Sequence, residues 1–219
     1  MSHFADSDLI SRTLLHKDHN AYGELIRRHS SAVRSLLRKL TGGDWALADD
    51  LAQDTFIQGY RKLAGFRGEA GFSTWLYRIA TNLFLSHCRK VKRRGEISGD
   101  LEDRGAAGSP GAVMSSQRSR GHGSGPSASD VSAESTSLSV KDWSADQRQA
   151  LHLDMEKALR TLNERERAVV SLTYFAGCSH SQAADILGCP VGTVKTLIMR
   201  AKEKLRPKLA VWKERKSLV

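Results

Sequence analysis

Four aromatic side chains, Phe66, Phe72, Trp75 and Tyr77, fall within twelve residues, and Gly68 and Gly71 lie among them. Arg67, Arg78, Arg89, Lys90, Lys92, Arg93 and Arg94 surround the group. Rings beside cations suit unpaired bases: stacking is worth about 1–3 kcal/mol per base, and cations track the phosphates. Holding a base outside a duplex costs a few kcal/mol of unstacking, which a loop pocket beside a rigid basic helix can offset. Aromatic residues on helices more often belong to a core, and the neighbouring Leu76 and Leu83 are assigned there. The rings flanking the glycine loop have little helix to pack against, so the chemistry expected of them is capture of a single strand. Trp75, Ile79, Asn82 and Ser86 recur along one side of the helix that Ser73 caps, which sets a polar Asn82 beside the rings.

A second candidate is GCSHSQAADILGCPVGTVKTLIMRAKEKLR, residues 177–206. Ser179 and Gln182 have capping-box spacing, Gly188-Cys189-Pro190 supplies a tight turn, and a second helix follows from Val191 to about Arg206. The small Ala183 and Ala184 let the two helices cross closely. Val194, Ile198, Ala201 and Leu205 make the buried stripe of the second helix, leaving Thr193, Lys195, Thr196, Met199, Arg200 and Lys202 outward. Short polar groups for base edges between cations for phosphates suit the major groove of DNA. The plainer alternative is a helical hairpin with a solvated basic face. The capped helix, glycine turn and basic helix in that order favour DNA binding.

Asp49, Asp50 and Asp54 form a third group on ADDLAQDTFIQGYRKL, with Asp50 and Asp54 four apart on one face. That spacing could suit a metal, a general acid and base, or a basic protein surface. No histidine or nucleophile joins them, so no catalytic residue is assigned. Cys178, His180 and Cys189 lack the fourth ligand and paired spacing of a structural zinc site, and no metal or cofactor is expected.

The elements that must position these groups read as helices throughout. Ala21, Tyr22, Leu25, Ile26, Val33, Leu36, Leu37 and Leu40 repeat at three and four residues up to Gly42-Gly43; Asp44 can cap the next helix, to about Leu63. Asn163 with Glu166 has capping-box spacing, and Gly177 and Gly188 sit where helices would stop. No alternating strand pattern competes. Between Gly95 and Val140, 22 of 46 residues are Ser, Gly or Pro and none is aromatic, too little apolar surface to offset ordering entropy. The expected architecture is therefore all-α: a helical domain over 1–94, a flexible linker over 95–141, and a helix-turn-helix domain over 142–219. A linker of that length spans roughly 35–40 Å on average, so the two domains need not touch.

The net charge of +10 over 219 residues favours a polyanionic partner. It divides as +7 over 1–94, −3 over 95–150 and +6 over 151–219, two basic modules on a slightly acidic tether. No apolar run approaches the ~20 residues of a spanning helix, MSHFADSDLI lacks the pattern of a signal peptide, and three scattered cysteines suit reducing surroundings. A cytoplasmic location without membrane insertion is expected.

DDLAQDTFIQGYRKLAGFRGEAGFSTWLYRIATNLFLSHCRK, with LNERERAVVSLTYFAG and AADILGCPVGTVK, resembles the extracytoplasmic-function subfamily of bacterial sigma factors across roughly 6–94 and 142–208. The resemblance implies a non-enzymatic subunit that joins core RNA polymerase and directs it to promoter DNA. Its first domain would open and read the −10 element as single strand, and its helix-turn-helix would read the −35 element as duplex. By motif position, Asp49, Asp50, Gln53 and Asp54 fall in the segment docking on the clamp helices of the largest polymerase subunit. Phe66, Arg67, Gly68, Ala70, Phe72 and Ser73 fall in the loop that pockets a flipped −10 base. Trp75, Tyr77 and Arg78 fall in the melting segment, and Asn82 and Ser86 on the −10 reading helix. Ser179, Thr193, Lys195, Thr196, Arg200 and Lys202 fall in the −35 reader. An anti-sigma factor is an expected partner. Where the family often has Ser-Arg-Leu-His, this chain has Thr196-Leu197-Ile198-Met199, so the promoter sequence does not carry over.

Two other functions fit parts of the sequence. LNERER and GTVKT also resemble conventional helix-turn-helix regulators, but 1–94 shows no βαβ pattern for a receiver domain. A metal-dependent nuclease on Asp49, Asp50 and Asp54 would need ligands that the neighbourhood lacks.

Overall fold

The computed structural model describes residues 5–102 and 145–216, so most of the expected linker lies outside the described residues. Among them every regular element is helical: α1 (Asp6–His16), α2 (His19–Thr41), α3 (Trp45–Lys62), a 3-10 turn (Leu63–Gly65), α4 (Phe72–Glu102), α5 (Ala145–Arg160), α6 (Glu164–Val170), a π-helical turn (Ser171–Phe175), α7 (His180–Leu187) and α8 (Val191–Lys216).

Short polar side chains start these helices. Asp18 accepts from the amides of Asn20 and Ala21 at the head of α2, and Asp44 from that of Leu47 at the head of α3. Between them, Gly42 and Gly43 adopt φ of +66° and +88°, which a side chain would strain, and the Gly43 amide donates to the Arg38 carbonyl at 3.0 Å.

Leu25, Val33, Leu36, Leu37 and Leu40 of α2 bury their side chains with Ala48, Leu51, Ala52 and Phe56 of α3 and Leu76, Ala80 and Phe84 of α4. One glycine inside α3 has a packing reason. A Cβ at Gly59 would stand 2.8 Å from the Tyr22 hydroxyl. Tyr22 instead reaches the Phe56 carbonyl, donating at 2.7 Å, and burial pushes its phenol up to about 12.

In the carboxy-terminal half the predicted capping box is formed: the Glu166 amide donates to Asn163 Oδ1 at 2.8 Å and the Asn163 amide to Glu166 Oε2 at 3.1 Å. Glu166 is buried, and Lys204 Nζ of α8 donates to both of its oxygens at 2.8 Å. The same carboxylate therefore caps α6 and ties α8 to it.

Two features differ from the sequence reading. Helix α4 continues to Glu102, past the expected linker start at 95, and α8 runs on to Lys216 through Pro207. The halves also touch. A single buried cluster runs from Leu36, Leu40, Tyr77 and Phe84 to Val169, Leu172, Cys178 and Ala183. Arg160 of α5 donates through Nε to the Gly42 carbonyl, Arg167 of α6 lies 5.7 Å from the Phe84 ring centroid, Lys39 Nζ lies 5.4 Å from that of Phe175, and Lys92 pairs with Glu164 at 3.1 Å. Side chains at Gly42 or Gly43 would collide with this contact, since a Cβ there would stand 2.7 Å from Arg160 Cγ or 2.5 Å from Glu156 Oε2.

Candidate nucleic-acid and polymerase-binding faces

The glycine loop between α3 and α4 is built on rings that pack against each other. Phe66 meets Phe72 edge-on at 5.7 Å and Trp75 at 5.4 Å, while Phe72 stacks on Trp75 at 5.6 Å with planes 27° apart. His29 closes the cluster edge-on to Phe72 at 5.2 Å, its Nε2 2.7 Å from Asp6 Oδ2. Above this floor Arg67, Gly68, Glu69, Ala70 and Gly71 are exposed, and Gly68 takes φ +73° with open space where a Cβ would be.

This placement corrects part of the expectation. Phe72 and Tyr77 are 5% and 8% exposed, so their rings serve as interior and do not present stacking faces. Tyr77 packs toward Cys178 of the other half, and burial raises both its phenol and the Cys178 thiol. The loop lies directly against α2 and α4, which gives its rings the packing partners that chain proximity alone does not reveal. Phe66 and Trp75 remain half-buried with open edges, and Arg78 and Asn82 are exposed on α4. Ser73, expected as the cap, lies inside the first turn instead, because α4 begins at Phe72 and the Trp75 amide donates to the Gly71 carbonyl at 3.1 Å. Ser86, half-buried, accepts from Arg89 at 3.1 Å.

Asn82 also borders a cleft of ≈ 630 Å³ between the halves, whose far wall includes Leu187 and Leu197 of the helix-turn-helix. The polar face of α4 thus looks toward the carboxy-terminal helices.

On α3 the acidic residues divide. Asp50, Gln53 and Asp54 are exposed on one face, whereas Asp49 is half-buried with Oδ1 3.6 Å from Arg34 Nε. The sequence reading missed Ile57, which is 50% exposed one turn beyond Gln53 and Asp54 on the same face. Its signal was present: Leu51, Ala52, Thr55 and Phe56 complete the buried side without it. The face is an acidic and amide strip with an apolar end, suited to a basic protein surface.

The helix-turn-helix forms as expected. Ser179 accepts from the Gln182 amide at 3.1 Å and caps α7, Gly188 ends it at φ +61°, and the Thr193 amide donates to the Pro190 carbonyl to begin α8. Val194, Ile198, Ala201 and Leu205 are buried. Thr193, Lys195, Thr196, Met199, Arg200 and Lys202 are exposed. Two are already engaged: Thr196 Oγ1 donates to the Gly192 carbonyl at 3.0 Å, and Lys202 Nζ lies 5.6 Å from the ring centroid of the exposed Tyr174. Among the described residues no group of three or more His, Cys, Asp or Glu converges as a metal site, and no helix is long and apolar enough to cross a membrane.

This is the layout of a two-part DNA-binding initiation factor, and the comparisons place it in a family. The chain matches sigma-70 region 2 over residues 25–94 and sigma-70 region 4 over 152–205. It is 30% identical over 207 residues to the RNA polymerase sigma-H factor of Pseudomonas aeruginosa, covering 90% of each chain. It is 31% identical over 192 residues to the extracytoplasmic-function sigma factor SigW of Bacillus subtilis, covering 88% of this chain and 90% of that one. Among solved structures it resembles the sigma factor RpoE of Bartonella quintana in complex with the anti-sigma factor NepR, at 25% identity, TM-score 0.57 and coverage of 87% and 97%. It shares the fold of CnrH in complex with the cytosolic domain of CnrY, at 23% identity, TM-score 0.58 and coverage of 95% and 99%. The chain belongs to the extracytoplasmic-function sigma factors, the subunits that give RNA polymerase promoter-specific initiation. Proteins of this family are initiation factors without a catalytic role of their own.

Proposed function

We propose that this sigma factor divides its work between residues 1–94 and 142–219, with 95–141 as connector. Asp50, Gln53 and Asp54, extended by Ile57, dock on the clamp helices of the largest polymerase subunit, and Asp49 supports them through Arg34. The exposed rim 67–71, the open edges of Phe66 and Trp75, and Arg78, Asn82 and Ser86 hold the unpaired −10 strand. Ser179 and the outward side chains of α8 meet the −35 duplex. The observation that carries this reading is the order along one chain: an acidic strip, a ring-floored loop opening onto a basic helix, and a helix-turn-helix with a basic outer face.

The closed contact between the halves belongs to the free protein. The −10 and −35 elements lie about 25 base pairs apart, roughly 85 Å at ~3.4 Å per pair, far beyond the width of one cleft. Asn82 and Leu197 line that single cleft. Polymerase binding must therefore separate the halves. A cytoplasmic location follows from work on polymerase. An anti-sigma factor that binds the closed form is the expected partner, and the solved RpoE of Bartonella quintana is likewise in complex with an anti-sigma factor.

The deciding experiment is run-off transcription with core polymerase. Addition of this chain is expected to produce discrete starts absent with core alone. Initiation no better than core alone refutes the reading.

A further inference from the structure

The outer face of α8 carries one side chain that its polar character does not explain. With successive residues turned by about 100°, the direction opposite the buried stripe is shared by Gly192, Thr196, Met199 and Glu203. Met199 is 56% exposed there, between exposed Lys195 and Arg200, while Val194, Ile198, Ala201 and Leu205 are at most 8% exposed on the reverse side. A lone exposed methionine is ordinary on a protein surface. Here it occupies the middle of the line that enters the groove if Lys195 and Arg200 rest on phosphates to either side.

The earlier neighbours on that line offer little to read a base with, and Glu203 stands one turn farther along, beyond the N-terminal part of the helix that meets base edges. Gly192 has no side chain, and the Thr196 hydroxyl proton is committed to the Gly192 carbonyl. Lys202 is drawn aside over Tyr174. The major groove presents one apolar group, the C5 methyl of thymine. An unbranched thioether with three rotatable bonds is suited to cover such a methyl and has no hydrogen bond to lose on entering the groove.

We propose that Met199 is a specificity-determining residue of the −35 contact and selects a thymine by packing on its 5-methyl group. This rests on α8 being the −35 reader. The mechanism is apolar: methyl and thioether leave water together, so cytosine and uracil at that position lose the contact while every phosphate contact stays.

The test uses holoenzyme assembled from the full chain and core polymerase, on a promoter whose start it maps. Each −35 thymine, on either strand, is replaced singly by deoxyuridine, which deletes only the methyl group. One replacement is expected to lower open-complex formation by about fourfold, the worth of one buried methyl group. Met199→Ala should lower the unmodified promoter by a similar factor and be indifferent to that replacement, whereas Met199→Leu should keep the sensitivity. In a promoter library randomised over the −35 element, Met199→Ala should lose its preference for thymine at one position only.

If no deoxyuridine replacement matters while Lys195→Ala or Arg200→Ala still weakens −35 dependence, Met199 is not the reader and α8 keeps its role. Initiation indifferent to the whole −35 element overturns both. Sensitivity to deoxyuridine that persists unchanged in Met199→Ala assigns the methyl contact to another residue and overturns the proposal.

Discussion

Replacing Arg160 with alanine should open the molecule without unfolding it. Arg160 belongs to α5, and its Nε donates across to the carbonyl of Gly42, the residue that ends α2. A hydrogen bond from a charged donor contributes about 1.5–3 kcal/mol, and this part-exposed bond belongs in the lower half of that range. A loss of about 1.5–2 kcal/mol shifts the balance between closed and open forms by roughly 10- to 30-fold. Cys178 is a built-in reporter: it is 7% exposed, lies near Tyr77 of the other half, and its thiol is pushed up by burial. Only the thiolate reacts quickly, so opening speeds labelling both by access and by restoring an ordinary pKa. In a Cys88→Ser, Cys189→Ser background, Arg160→Ala should raise the Cys178 labelling rate by about that factor, with the helical melting profile unchanged. Arg206→Ala, on the exposed side of α8, should leave it alone. Unchanged labelling in Arg160→Ala would show that the Gly42 bond contributes nothing to closure and refute the reasoning.

Three further outcomes are expected. Asp50→Lys with Asp54→Lys should weaken core-polymerase binding at least tenfold in competition with another sigma factor, whereas Asn82→Ala should leave core binding intact and reduce promoter opening in permanganate footprints. Glu166→Ala should destabilise the carboxy-terminal half by about 1–2 kcal/mol, since the Asn163 amide loses its cap and Lys204 its acceptor, and this should register as a lower thermal midpoint. Glu164 is held below the usual glutamate range, chiefly by hydrogen bonding to its own amide and next by Lys92. A depressed carboxyl contributes stability above its unfolded pKa and loses it as pH falls through the folded one, and the share owed to Lys92 of α4 is the share that favours closure. Cys178 labelling, corrected for its own thiolate fraction, should therefore change little from neutral pH to about 5 and rise below the ordinary glutamate range.

Much of the fold was legible because it is local. Asp44, Asn163 and Ser179 cap helices by bonding amides three residues away, and Gly42 and Gly188 end them in left-handed conformations. Such bonds depend only on nearby residues, so spacing reveals them. The apolar period of α8 likewise distinguishes its buried stripe from its outward face. The family resemblance rests on the same short patterns.

What the tertiary structure decided is which side chains lose their water to a distant partner. Phe72 and Tyr77 read like nucleotide-stacking rings, yet Phe72 is closed in by Phe66, Trp75 and His29, and Tyr77 by the cluster shared with Cys178. Ile57 is left exposed because Phe56 and Leu51 already fill the inner face of α3. The contact of Arg160 with Gly42 joins residues 118 apart in the chain, a proximity that helical periodicity cannot encode. Burial is a property of the whole packed surface, so which rings join the core and which keep an open edge is decided only when the helices come together.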